Sequence, residues 1–296
     1  MDGEKGKGNA WMRSKGRGKY ADGIRREGDM GEVRFQARMY VSLLKMTMKG
    51  ILEYRADFWI SLVSVVLLNG ANIVQISVIS WRFHALGNWG VGDLLVLYGM
   101  FMICWSIFSV FFRKLSKIED EIVSGSFDIY LLRPVSPFLQ LVGGDINYTG
   151  LCDTMMGAAL LAVGLRMAGV QWGIGHILWF AVFILSGGTI VVCIRFLISC
   201  VTFWTTRGSA LSSVFTQIYL LIQKYPVTIF GRAFRVLVTG IVPVAYLNFY
   251  PAVYLLGKPD APAWLCMLSP VAALALVCLS AIVWRGGLRH YHSGGG

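Results

Sequence analysis

Polar side chains recur within the first long apolar run of the chain, which extends from Phe58 to Ser80. Asn69, Asn72 and Gln75 lie three residues apart, so on a helix they turn slowly along one face. Polar groups are costly in lipid and usually face the interior of a helix bundle or a cavity. These amides therefore either line a path for a substrate or form hydrogen bonds to a neighbouring helix.

Two opposite charges lie within later apolar runs, Asp153 near the start of one and Arg195 toward the end of the next. An unpaired charge at the centre of a membrane helix costs about 2.5–3.5 kcal/mol on insertion scales. Because both positions fall toward the same side of the membrane, we predict that Asp153 and Arg195 form a structural ion pair.

A connection of mixed composition joins two apolar runs between Arg113 and Thr149. Leu115, Ile118 and Ile122 recur at helical spacing, with three consecutive acids between the last two. The aromatic and apolar residues that follow, from Phe127 onward, favour either a docking surface for a partner protein or packing against the rest of the chain.

Catalytic and metal-binding motifs are absent from the sequence. It has no G-x-x-x-x-G-K-[ST] pattern, so the chain is not expected to hydrolyse ATP, and no Ser/His/Asp or Cys/His set falls in an apolar run. The six cysteines form no C-x-x-C pair and read as small hydrophobic residues. We therefore expect neither an enzyme nor a metal site.

Composition places the chain in a membrane. Of its 296 residues, 56% are hydrophobic and 15% are charged, whereas soluble domains average about 45–50% and about 25%. The net charge of +11 does not indicate nucleic-acid binding, because most basic residues lie in the N-terminal tail and in short connections. The sequence predicts an all-α integral membrane protein with membrane lipids as partners.

Five runs are long and apolar enough to span a bilayer, which requires about 20 residues. They are Phe58 to Ser80, Leu94 to Phe112, Gly150 to Val170, Ile177 to Trp204, and Pro262 to Trp284. Lys and Arg alternate between the connections of these runs, which predicts that both termini are cytoplasmic and that the number of spans is even. A bundle of six spanning helices over residues 57–285 follows.

The sixth span must come from residues 208–256, where two interpretations compete. Charge counting makes Val236 to Leu256 the fifth span and keeps Lys224 and Arg232 on the cytoplasmic side. Alternatively, Gly208 to about Gln223 crosses the membrane and residues 225–256 dip back as a re-entrant pair of short helices. The residues alone do not separate them.

The N-terminal part of the chain divides into two segments. Residues 1–32 are rich in Gly and charged residues and predict a disordered basic tail, solvated rather than bound to lipid. Residues 33–56 place basic and apolar residues on adjoining helical faces, which predicts an interfacial amphipathic helix, although a helix packed on a partner has a similar pattern. Residues 286–296 form a C-terminal cytoplasmic tail.

These features resemble the membrane subunit of a type-2 ABC exporter, specifically a bacterial branch of permeases. The resemblance extends over about residues 33–295. Three stretches carry it: residues 121–136, with Gly125-Ser126-Phe127-Asp128-Ile129-Tyr130-Leu131-Leu132-Arg133-Pro134; residues 225–252, with Tyr225, Pro226, Pro243 and Pro251; and residues 284–295. The long basic tail departs from the family pattern.

The resemblance implies a division of labour with other subunits. Residues 33–56 correspond to a connecting helix, residues 225–256 to an extracellular re-entrant element, and residues 113–149 to a loop whose coupling helix docks on a separate ATPase. The implied docking residues are Leu115, Ile118, Glu119, Asp120, Glu121, Ile122, Phe127, Asp128, Tyr130, Arg133 and Pro134. ATP and Mg²⁺ would bind two ATPase chains, and a second homologous permease or a copy of this chain would complete the path.

The function expected from this resemblance is ATP-driven export across the bacterial cytoplasmic membrane. A secondary transporter is the main rival, but it predicts inverted repeats that the sequence does not show. A membrane scaffold or biogenesis factor without transport activity is a further alternative.

Overall fold

The computed structural model describes residues 55–82, 88–132, 136–143, 147, 149–170, 173–205 and 208–291. The predicted tail at residues 1–32, nearly all of the predicted interfacial helix at 33–56 and residues 292–296 of the C-terminal tail lie outside this range. The described residues form helices and turns and no β-strand. The predicted all-α class is therefore confirmed.

The helices follow one another with short connections. In chain order they are α1 (Arg55–Arg82), α2 (Val91–Phe111), α3 (Ile118–Val123), α4 (Asp128–Leu132), α5 (Pro137–Gly143), α6 (Thr149–Met167), α7 (Ile174–Cys200), α8 (Ser209–Ile222), α9 (Arg232–Val236), α10 (Phe249–Leu256), α11 (Ala263–Cys266) and α12 (Ser269–His290). Short 3-10 turns precede α3 and α9, follow α7 and precede α10, and a π-helical turn continues α9 to Ile241.

Five helical segments of the described chain are long and apolar enough to cross a membrane. They are Trp59–Val78, Val91–Phe111, Thr149–Met167, Ile174–Phe203 and Ala263–His290. Each coincides with one of the predicted runs, because the bilayer demands the same length and composition that the sequence pattern reveals. The five predicted spans are therefore confirmed.

The spanning helices run antiparallel and define two ends of the bundle. Gly92 at the start of α2 lies against Met167 at the end of α6, and Lys258 pairs there with Asp93. We call this the distal end. At the opposite, proximal end, the Asn147 N–H donates to the carbonyl of Val110, 3.1 Å away, close to where α2 ends and α6 begins.

Helices α2 and α6 cross at the closest distance that side chains permit. A Cβ atom on Gly99 would lie 2.8 Å from the backbone nitrogen of Leu161, and one on Gly164 would lie 2.7 Å from that of Val96. Small residues at such crossings let two backbones approach and pack tightly in lipid, where no hydrophobic effect drives helices together. This pair of helices forms the rigid centre of the bundle.

Residues 208–256 do not form one straight span. Helix α8 begins at the proximal end, and beyond it Lys224 donates a 2.8 Å hydrogen bond to Gln75 in the distal half of α1. The chain then turns through two helical pieces, Arg232–Ile241 and Val244–Leu256, whose axes differ by 79°. At the bend, the Cys104 thiol lies 3.4 Å from the carbonyl oxygen of Leu247, beyond the middle of α2.

The bent segment therefore enters and leaves the bundle in its distal half. Its far end is held there by Lys258, whose ammonium lies 2.6 Å from both the Asp93 carboxylate and the carbonyl oxygen of Asn88. The Trp89 indole donates to Asp260 over 3.1 Å and stacks on Phe249. This geometry favours the re-entrant interpretation, with α8 as the fifth crossing, over a single span from residue 236 to 256.

Three prolines predicted to shape this element are buried in it. Pro226 precedes the 3-10 turn Val227–Ile229, Pro243 lies at the bend, and Pro251 lies within the first turn of α10, where a missing N–H costs no helical hydrogen bond. Tyr225 lies beside Pro226 and is half-buried. The sequence signals for a broken segment therefore coincide with the breaks that the structure contains.

Candidate functional site

A polar cavity of about 270 Å³ lies among the helices α1, α2, α6, α7 and α8. Four residues that the sequence analysis named, the amides Asn69 and Asn72 and the charged Asp153 and Arg195, contribute to its wall. It is lined by Asn69, Asn72, Tyr98, Phe101, Met102, Trp105, Asp153, Arg195, Thr216, Tyr219, Leu220 and Gln223. Leu220 is 47% exposed, so the cavity reaches the outer surface of the bundle.

The two asparagines of α1 meet a tyrosine of α2 at the cavity wall. The Tyr98 hydroxyl donates to Asn69 Oδ1 and accepts a 2.9 Å hydrogen bond from Asn72 Nδ2. The predicted hydrogen bonds to a neighbouring helix are therefore formed, and both asparagines also line a cavity, while their role in a substrate path stays a prediction. Gln75 lies outside this cavity, is exposed, and accepts the hydrogen bond from Lys224.

Aromatic rings surround the guanidinium of Arg195. It lies 4.9 Å from the Trp105 ring centre and 5.6 Å from that of Tyr219, and Phe108 is 5.8 Å away. Cation–π attraction of this kind is worth about 2 kcal/mol where water is excluded. Two long hydrogen bonds, of 3.4 Å and 3.5 Å, extend from Arg195 to Ser212 and to Thr216 on α8.

The predicted ion pair between Asp153 and Arg195 is not formed. Within the described chain the one ion pair closer than 4.0 Å joins Lys258 to Asp93. Arg195 is stabilised by rings and hydroxyls of α2 and α8, which pattern reading missed because it considered only charged partners. Asp153 and Arg195 nevertheless line the same cavity.

The sequence did contain a signal for the residues that were missed. Ser212, Thr216, Tyr219 and Gln223 recur at spacings of four, three and four residues along α8, which places them on one helical face. Trp105 lies three residues before Phe108 on α2, which is the spacing that brings two rings to one side. A search for polar and aromatic faces on the apolar run that forms α8 would have identified this wall of the polar cavity.

At the proximal end, the apolar residues predicted to dock a partner instead form a core of their own. Leu115, Ile118 and Phe127 are completely buried. They pack in what we call the proximal core, whose buried members are Leu115, Ile118, Phe127, Leu141, Val142, Phe196, Cys200 and Phe203. Ile122 and Tyr130 are half-buried against it. The complete burial of Leu115, Ile118 and Phe127 favours the alternative in which the loop packs back on the bundle, whereas docking by Ile122 and Tyr130 stays a prediction.

The acids of this loop are held within the chain. Glu119 accepts a 2.9 Å hydrogen bond from the N–H of Gly208, and Glu121 accepts one of 3.1 Å from the Tyr130 hydroxyl. Asp128 accepts a 2.9 Å hydrogen bond from Tyr291. Burial, together with this contact, raises the pKa of Tyr291 to about 12. Three of the four predicted acidic docking residues therefore position the loop, and Asp120 alone among them is exposed.

A different set of apolar residues faces outward from this loop. Val123, Ile129, Leu131 and Leu132 are between 47% and 85% exposed, and we call them with Asp120 the proximal patch. Arg133 and Pro134, which the resemblance also assigned to docking, lie outside the described residues. Phe127, which lies between Val123 and Ile129 of the patch in the sequence, packs in the proximal core. Its ring centre lies 5.0 Å from that of Tyr291.

The described residues contain no cluster of three or more His, Cys, Asp or Glu side chains that would hold a metal ion. All six cysteines are unpaired, and five of them are buried. The polar cavity and the proximal patch are two candidate functional regions of the described chain. A larger apolar cavity of about 440 Å³, with Leu115, Phe196 and Trp284 in its wall, lies beside the proximal core.

Comparison with known families agrees with the assignment of the chain as a membrane helix bundle. A sequence model of the ABC-2 family transporter proteins matches residues 66–295, which include all but the start of the described helical bundle. No curated protein sequence matches the chain. Because the family match covers more than half of the sequence, the chain belongs to the ABC-2 family of transporter proteins, as a multi-pass membrane component.

Proposed function

We propose that the chain is the permease subunit of an ATP-driven exporter, forming half of a translocation path and coupling to separate ATPase subunits. The observation that carries this proposal is the combination of ABC-2 family membership with an exposed apolar patch on a rigid loop. Exposed apolar residues grouped at one end of a membrane protein favour a protein partner. ATP and Mg²⁺ are assigned to that partner, and the permease itself is not an enzyme.

The proximal core gives a physical route from the patch to the spanning helices. The Phe127 ring packs edge-on against Phe203 after α7 at 5.6 Å, and against Trp284 of α12 at 6.3 Å. These ring contacts link the loop that carries the patch to both helices. Movement of an ATPase bound at the patch would therefore shift α7 and α12 together.

A second permease subunit is the proposed partner for the open side of the bundle. Only 6% of the apolar window of α1 is buried within the chain, against 78% for α2. Helix α1 and the exposed Leu220 flank the polar cavity, so a homologous permease or a second copy of this chain would close the cavity from that side. ATP binding would then rotate the two bundles against each other and release an amphiphilic substrate.

The coupling role sets the proposed orientation. ATP is available in the cytoplasm, so the proximal end faces the cytoplasm of a bacterial inner membrane. Helix α12 ends at the proximal end with His290, which makes the C-terminus cytoplasmic. Helix α1 begins at the same end, which implies that the N-terminal tail is cytoplasmic as well. Transport then proceeds from the proximal toward the distal end.

The docking proposal is tested by co-expression with candidate ABC ATPases from the same genome. Changing Ile129 and Leu132 to Asp adds charge to the patch and is expected to abolish co-purification of the ATPase and its stimulation by the permease in lipid. The matched control is Ile174→Asp, because Ile174 is 81% exposed, comparable to 85% for Leu132, and lies at the distal end. Equal ATPase recovery with the double variant and the control would contradict the proposal.

A further inference from the structure

The polar cavity contains two opposite charges whose bonding capacity is incompletely used. The guanidinium of Arg195 makes two long hydrogen bonds to hydroxyls, and its Nε–H is buried without a partner. An arginine side chain carries five N–H donors. Buried donors of a charged group cost free energy unless they are bonded, so this arrangement is poised for an acceptor.

A second unsatisfied group lies beside Arg195. Tyr219 is 3% exposed, and its hydroxyl is buried without a hydrogen-bond partner. Its ring centre lies 5.6 Å from the guanidinium carbon, so both donors serve one part of the cavity. Arginine and a neighbouring hydroxyl together bind phosphate or carboxylate oxygens by charge-assisted hydrogen bonds.

The opposite charge in the cavity is Asp153. Among the described residues, none donates a hydrogen bond to its carboxylate, and no cation lies within ion-pair distance of it. An anion alone would satisfy Arg195 and leave Asp153 unpaired, whereas a lone cation would do the reverse. A ligand that carries both a negative and a positive charge pairs with Arg195 and with Asp153 at once.

We propose that this cavity binds a zwitterionic group, with its phosphate or carboxylate at Arg195 and Tyr219 and its amine at Asp153. The inference rests on the proposed transport function, because it names the class of substrate that the same cavity would accept. A volume of about 270 Å³ lies below the range of about 300–1,000 Å³ typical of small-molecule sites. It accommodates a headgroup, while acyl chains would extend past the exposed Leu220 into lipid.

Two sources supply this chemistry, a zwitterionic lipid or a soluble zwitterion, and the experiment separates them. The full-length chain is purified in detergent without ATPase or nucleotide, delipidated, and titrated while bound ligands are counted by native mass spectrometry. The probes are phosphatidylethanolamine, its N-acetylated form, phosphatidylglycerol, and soluble phosphoethanolamine as competitor. Competition by phosphoethanolamine at concentrations comparable to the lipid assigns a soluble ligand, and competition only at far higher concentrations assigns a lipid.

The wild-type chain is expected to bind one zwitterionic ligand about ten-fold or more tightly than the N-acetylated or anionic lipid, since each loses one charge-assisted contact. Asp153→Asn should remove this preference, and Arg195→Gln should weaken every probe. Tyr219→Phe tests the anion side with little change in shape. Arg166→Gln, which removes an exposed positive charge at the distal end, is the matched control and should bind as wild type does.

Two results would overturn the inference: equal binding of the zwitterionic and anionic lipids to the wild type, or an unchanged preference in Asp153→Asn. Thermal unfolding of each variant identifies any that fail to fold. If Arg195→Gln does not fold, the Asp153 and Tyr219 variants decide the matter. Because no ATPase is present, loss of this binding leaves the docking proposal standing. Conversely, failure of ATPase docking does not affect this binding.

Discussion

The proximal core and the polar cavity share helix α7 but differ in how the charged side chains beside them are bonded. Beside the core, Glu119, Glu121 and Asp128 each accept a hydrogen bond from the same chain. An apolar cavity of about 440 Å³ lies there as well, with Leu115, Phe196 and Trp284 in its wall. In the polar cavity, Arg195 and Tyr219 keep buried donors without acceptors. The comparison shows acids that already have donors at the proximal end, and in the polar cavity buried donors that are left for a ligand to bond.

The largest expected effect concerns the packing of the proximal core. Phe127→Ala removes a completely buried ring and should lower the free energy of unfolding by about 3–5 kcal/mol, because a cavity remains in its place. Leu132→Ala, at an 85% exposed position, is the control and should change it by less than about 0.5 kcal/mol. Thermal unfolding in detergent checks both. Equal shifts would show that the core is not packed as described.

The glycine crossing supplies the next test, since it holds the helices that frame the cavity. Gly164→Ala places a Cβ atom 2.7 Å from the backbone nitrogen of Val96, and overpacking of this kind costs about 1–3 kcal/mol. Gly70→Ala is the matched control, because no atom lies within 4 Å of its added Cβ. Both variants are measured in the same unfolding assay. If Gly70→Ala were destabilised and Gly164→Ala were not, the close approach of α2 and α6 would be refuted.

Asp93, which has an ion-pair partner, can be compared directly with Asp153, which has none among the described residues. Asp93→Asn breaks the 2.6 Å ion pair with Lys258, and we expect a loss of about 1–3 kcal/mol because a hydrogen-bonded charge is left without its partner. Asp153→Asn removes a carboxylate with no such bond and should leave the unfolding midpoint unchanged or raise it. A larger loss with Asp153→Asn would place a structural role on the cavity and weaken its assignment as a binding site.

The smallest effect concerns the hydrogen bond between Tyr291 and Asp128. Tyr291→Phe should cost about 1 kcal/mol near neutral pH. The folded chain favours the neutral phenol, because burial and then this contact raise its pKa from 10.0 to about 12. The contribution is therefore complete below about pH 10 and is lost as the pH rises through about 12. Unfolding midpoints of the wild type and the variant should converge over this interval, and a gap that widens would contradict the assignment.

Sequence reasoning succeeded where the bilayer itself constrains the residues and failed where packing decides. The five long spans follow from length and apolar composition, and Pro243 marks the bend of the broken segment. The spacing of Leu115 and Ile118 correctly placed them on one face. It could not show that this face packs on the chain's own Phe196 and Phe203, because those contacts join distant parts of the sequence.

The cavity illustrates the same limit for charged residues. Asp153 and Arg195 were recognised as costly charges, and a direct pair was the simplest way to offset that cost. The structure offsets the cost of Arg195 with Trp105, Phe108 and Tyr219 instead, which come from two other helices. A linear sequence reports which residues need partners, but the crossing of helices selects those partners.

The central claim is that this chain provides the membrane path while another subunit supplies the energy. This is tested by ATP hydrolysis in lipid vesicles by the chain alone, by a candidate partner ATPase alone, and by the two together. The account predicts no hydrolysis by the chain alone and stimulated hydrolysis by the assembled complex, with the stimulation lost in the variant carrying Ile129→Asp and Leu132→Asp. Hydrolysis by the purified chain alone, or a complex indifferent to the patch, would contradict it.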